Sequence, residues 1–138
     1  MNIYGPYFTD REFNIDDNTH QPHRASMYQL VKFGLNPVRK KFGPTKITSG
    51  HRSQEHNMQL KLRGYNASPT SQHCHGEAAD FVCTALPPGT TMRHVFEWLR
   101  PWWPGQLFLY SKSNFIHIAL PRIDLQVKGR LYALVLDK

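Results

Sequence analysis

The spacing of apolar positions changes from segment to segment along this chain, and it predicts the elements in turn. Thr9 and Glu12 bracket a short helix near Asp10 to Phe13 with a capping-box signature. From about Arg24, Met27, Leu30, Val31, Leu35 and Val38 recur at helical spacing. Pro37 falls inside that run and predicts a kink or split, and Gly43-Pro44 ends it. Lys46-Ile47-Thr48 reads as a strand running into a Ser49-Gly50 turn, and Gln54 to Leu62 as a helix closed by Gly64. A loop rich in Asn, Ser, Pro and Thr follows from Tyr65 to His75. Glu77 to Cys83 then alternates as a strand does, with Ala78, Asp80 and Val82 on one face and Glu77, Ala79 and Phe81 on the other. Thr90 or Thr91 caps a helix whose Met92, Val95, Phe96 and Leu99 share a side, and Pro101 terminates it. Gln106 to Tyr110 and Asn114 to Leu120 pair as a hairpin around Ser111-Lys112-Ser113, and Lys128 to Leu136 supplies a last strand. The sum is an α+β fold, helices packed on a small, mainly antiparallel sheet.

Composition narrows the picture. A chain of 138 residues suits one domain spanning 1–138 with a modest core, and no repeat or linker divides it. Its longest apolar run, Leu131 to Leu136, is far too short to span a bilayer. Met1 to Pro6 lacks the basic flank and apolar stretch of a secretory signal, so synthesis in a cytoplasm without export by that route is expected. A formal net charge of +7 favours an anionic partner, either nucleic acid or an acidic bacterial wall. The densest basic groups, Arg39-Lys40-Lys41 and Lys61 with Arg63, read as solvated helix faces, and no recognised nucleic-acid motif accompanies them. Cys74 and Cys83 flank a strand that sets them on the order of 25 Å apart, whereas a disulfide needs about 7 Å or less. No intrachain bridge is expected, in keeping with a reducing compartment. A monomer is expected, although no sequence feature speaks to assembly.

The chemistry concentrates in Ser71-Gln72-His73-Cys74-His75-Gly76-Glu77-Ala78-Ala79-Asp80 and in Phe115-Ile116-His117-Ile118. His73, Asp80 and His117 make a two-histidine, one-carboxylate set of the kind that holds zinc and leaves a position open for water. The same residues have plainer readings. Asp80 can pair with Arg52, and His117 can be a hydrogen-bonded core residue. Cys74, beside His73, is a further possible donor, and His75 an alternative ligand or a support to one. Glu77 points away from Asp80 on the strand and is set aside as a proton acceptor. His51 and His56 read as structural, and His20, His23 and His94 carry no motif. Tyr110, Trp102 and Trp103 either line a groove or plug the edge of the core.

Upstream of these segments lie Thr48-Ser49-Gly50-His51-Arg52-Ser53 and Glu55-His56-Asn57. This order resembles the zinc D-Ala-D-Ala carboxypeptidase family, which shares its core with the Hedgehog signalling domain. The family pattern runs S-G-[YFH]-R-S, then S-x-H-x-x-G-x-A-x-D, then a strand ending in [FW]-[VI]-H-[VI]. The resemblance covers roughly Tyr7 to Ala119, and Tyr7-Phe8-Thr9-Asp10-Arg11-Glu12-Phe13 is similar to the start of small phage-encoded members. It implies the same α+β architecture, Zn2+ on His73, Asp80 and His117, and a peptidase acting on stem peptides or cross-links of bacterial peptidoglycan. It also implies that Arg52 steadies substrate or oxyanion, whose geometry suits a guanidinium fork. Ser71 corresponds to a serine bordering the substrate. The rival readings are a surface Arg52 paired with Glu55 and a turn-forming Ser71. A phage endolysin, made without a signal and acting on the cell wall, is the implied setting.

The chain departs from the family where a proton acceptor is expected. The position three residues before His117 is Asn114, the one two residues after it is Ala119, and the end of the preceding strand is Tyr110. None is acidic, which leaves Asp124, Glu97 and His75 as candidates without a motif. A non-catalytic, zinc-containing wall-binding module of the same fold is therefore the alternative, and a basic nucleic-acid binder rests on charge alone.

Overall fold

The computed structural model describes residues 4–64, 72–121 and 133–137, with the side chains of residues 54–57 left aside. Its helices are α1 (Gln21–Leu30), α2 (Asn36–Phe42), α3 (Gln54–Leu62) and α4 (Met92–Leu99), and its strands β1 (Thr45–Ser49), β2 (Ala78–Cys83), β3 (Leu107–Tyr110), β4 (Phe115–Ala119) and β5 (Ala133–Leu136). The strands form one sheet in the order β1-β2-β4-β3-β5. All pairings are antiparallel except β3 with β5, which run parallel.

The period-two alternation decides which face is which. Ala79, Phe81, Ile116, Ile118, Leu107 and Leu109 are buried in the core beneath α1, α2 and α4. Asp80, Val82, Phe115, His117, Phe108 and Tyr110 alternate with them, stay half-buried, and form the open face. The central helical run is split earlier than Pro37 alone predicts. A π-helical turn over Val31–Leu35 joins α1 to α2, and Pro37 sits in the first turn of α2, where its missing N–H costs nothing. Arg39, Lys40 and Lys41 occupy the last turn of α2, favourable against the helix dipole.

Smaller expectations hold locally. Thr9 and Glu12 form the capping box of a 3-10 turn, Asp10–Phe13. At α4 the Thr91 backbone N–H donates to Nδ1 of His94 at 3.0 Å, so that histidine has a structural role. Trp103 is core rather than groove, its indole N–H donating to the Ala119 carbonyl at 2.9 Å, while Trp102 is exposed. This bond anchors the end of β4, two residues beyond His117. Both cysteines are buried and free, and burial pushes the Cys83 thiol up to about 11. No helix among the described residues is long and apolar enough to cross a membrane.

Candidate metal centre

Three elements bring His73, Asp80 and His117 together on the open face. Asp80 and His117 are direct partners in the antiparallel β2–β4 ladder, so their side chains leave the sheet side by side. His73 comes from the 3-10 turn Gln72–His75 that precedes β2. One donor atom from each residue lies within 4.8 Å of the others, the single such grouping of three found among the described residues. His117 Nδ1 is 2.9 Å and His73 Nε2 is 3.4 Å from the same carboxylate oxygen of Asp80. Burial alone would raise the Asp80 carboxyl. Hydrogen bonds and charge from the two imidazoles outweigh it and hold the group well below the usual carboxylate range.

The orientation of His73 is fixed from behind. Its Nδ1 lies 2.8 Å from the Gly50 carbonyl, an acceptor, so Nδ1 carries a proton and Nε2 is the nitrogen turned to Asp80. Gly50 can present that carbonyl only because it has no side chain. A Cβ there would stand 2.5 Å from the Phe13 carbonyl oxygen. His117 is held by Phe108, its partner across β3–β4, whose ring stacks on the imidazole at 5.4 Å and 18°. Tyr110 and Phe115 extend this aromatic wall, stacked at 4.4 Å. Burial, followed by the negative charge of Asp80, raises the Tyr110 phenol, which ties this wall to the site electrostatically.

The donor set suits zinc: two imidazoles and a carboxylate, all from rigid elements, with one imidazole backed by a carbonyl. The side chains of His73, Asp80 and His117 retain 4%, 19% and 13% of their exposure, so the carboxylate edge is the more accessible one. Arg52 follows β1, is half-buried, and donates its backbone N–H to the His73 carbonyl at 3.0 Å. Burial raises the Cys74 thiol, against a lowering charge from Arg52. Cys74 lies outside the three-donor group.

Glu97 is exposed on α4, across the sheet from Asp80, and engaged with Arg93 and Arg100 at 4.0 and 3.6 Å. That placement rules it out as a proton acceptor for this site. Asn114 takes a left-handed conformation, φ 62°, in the β3–β4 turn, a place that suits asparagine. Ala119 is buried. Ser71 and Asp124 lie outside the described residues, as do the side chains of Glu55 and His56.

Sequence reasoning missed one grouping. His20, His23, His51 and His75 gather beside the site, with His23 Nδ1 3.2 Å from His51 Nε2. Positions so far apart in the chain share no spacing that could have announced them.

The sequence model of a family described as Peptidase M15 matches residues 6–119. No curated protein and no solved structure gives a significant match.

Proposed function

Since the chain belongs to the peptidase M15 family, we propose that it is a zinc-dependent peptidase that hydrolyses peptide bonds in bacterial peptidoglycan. The observation that carries this reading is the convergence of His73, Asp80 and His117 on the open face of the sheet. In this reading His73 Nε2, His117 Nδ1 and the Asp80 carboxylate hold the ion. Zinc so held supplies a Lewis acid and, near neutral pH, a nucleophile drawn from water.

The chain's own residues do the rest. The Gly50 carbonyl keeps His73 in one tautomer, and Phe108 keeps the His117 ring in one plane. Arg52, tethered through its backbone to His73, offers a fork of N–H donors to a substrate carboxylate or to the oxyanion formed during attack. The wall of Phe108, Tyr110 and Phe115 bounds the His117 side of the site, across from Asp80, and excludes water from that flank of a bound peptide. A stem peptide carries free carboxylates, which suits both Arg52 and a chain of net charge +7. Ser71 borders the substrate in the same reading, and the biological setting is wall lysis of the endolysin kind.

Defined muropeptides test the proposal. Zinc-loaded protein is expected to shorten a pentapeptide stem by one terminal D-alanine or to cut a cross-linked dimer, and the product mass names the bond. Intact substrate in every arm would leave the alternative, a wall-binding module, which the non-acidic Tyr110, Asn114 and Ala119 favour.

A further inference from the structure

We propose that His23, His51 and His75 form a second binding site for a borderline transition-metal dication, separate from His73, Asp80 and His117. The site goes beyond the peptidase reading and uses none of its three donors. Its nucleus is the pair His23 Nδ1 and His51 Nε2, 3.2 Å apart. Tetrahedral zinc with Zn–N bonds of about 2.0–2.1 Å has nitrogen–nitrogen edges of about 3.3–3.4 Å. The pair therefore already stands at the spacing of two ligands on one ion. The His75 ring lies 5.6 Å and the His20 ring 5.0 Å from that of His23, centroid to centroid. As the side chains stand, His75 does not join the pair as a group of three within 4.8 Å, so a third nitrogen would come from His75 only after its ring turns. Borderline metals such as zinc, nickel and copper favour such an imidazole set over hard cations.

The backbone around the cluster is built rather than loose. His23 lies in the first turn of α1, with its N–H on the His20 carbonyl at 3.0 Å. The His51 N–H donates to the Phe13 carbonyl at 2.8 Å, and Asn14 Nδ2 donates to the His51 carbonyl at 3.1 Å. His75 precedes Gly76, whose φ of 68° lets the chain press onto the His23 carbonyl; a Cβ at Gly76 would sit 2.2 Å from that oxygen. Three separate segments thus bring the His51 and His75 rings against that of His23. Burial and the charges of His20 and His75 lower the His23 pKa, which favours the neutral, metal-binding form. Burial, followed by the charge of His23, lowers His51 as well, against a raising charge from Asp16.

Zinc stoichiometry of the untagged full chain, dialysed at micromolar free zinc and read by elemental analysis, tests the site without reference to activity. Wild type is expected to hold two ions, His117→Ala and His23→Gln one each, and the double variant none. His117→Ala is the decisive arm, because it needs no change to the cluster and its fold can be checked by circular dichroism. One ion in wild type and none in His117→Ala would overturn the second site and leave the first standing. One ion in wild type that survives His117→Ala and is lost in His23→Gln would uphold the second site and overturn the first as the zinc centre.

Discussion

Asp80 shows how one residue draws its meaning from the register. Facing His117 across the ladder and His73 from the preceding turn, it is a carboxylate held ionised by two imidazoles. His73 and Asp80 were legible because they share one short motif and the alternation of β2 assigns Asp80 a face, whereas His117 was legible through its own strand motif, 37 positions further on. Arg52 was legible only through its motif, and its half-buried position beside His73 is compatible with a role at the substrate. Arg52→Ala is expected to lower kcat/KM by roughly 10²- to 10³-fold, the scale of a lost oxyanion donor, with zinc content unchanged. Arg52→Lys should recover only part, since an ammonium does not reproduce the fork. Steady-state kinetics with zinc analysis checks both, and a wild-type rate in Arg52→Ala would remove the residue from the mechanism. The histidine cluster was not legible at this scale, because His23, His51 and His75 are joined only by tertiary approach.

Among the elements, the β1 exit and the 3-10 turn before β2 set the precision of the site. The Ser49-Gly50 turn was readable from sequence as a strand end. Its packing against Phe13 was not, because nothing local signals a contact with a segment so far upstream. The break in register between Ile47 and Ser49 re-aims the chain there, so that Gly50 presents its carbonyl to His73. Gly50→Ala must push that carbonyl or the Phe13 backbone aside. Displacing the group behind a ligand typically costs 10- to 100-fold in metal affinity, and a loss of about that size is expected from zinc competition titrations, with the far-ultraviolet spectrum retained. Unchanged affinity would show that the Gly50 carbonyl does not matter to the ligand. The π turn ahead of Pro37 was likewise hidden, since helical periodicity continues through it and only the exact hydrogen-bond step differs.

For the molecule as a whole, the α+β class, the hairpin and the mainly antiparallel sheet followed from apolar spacing. The parallel pairing of β5 with β3 did not, because alternation assigns a strand's faces and not its neighbour. Stability should carry the mark of the cluster. His23 has a folded pKa below its ordinary 6.5, and His20, His51 and His75 surround it. The unfolded chain therefore binds more protons in the window just below that value, and metal-free protein should lose stability as pH falls through it. Urea midpoints of chelated protein at neutral and mildly acidic pH are expected to drop on acidification, and to drop less for His23→Gln; an equal drop would acquit His23. The central claim is the zinc peptidase itself, and amine release from purified peptidoglycan addresses it most directly, with zinc-loaded, chelator-treated and His117→Ala protein run side by side. The account predicts new amino groups from the zinc-loaded protein alone. Equal release from all three would contradict a zinc reaction at His73, Asp80 and His117, and release from none, by folded and zinc-loaded protein on walls of several types, would contradict the peptidase.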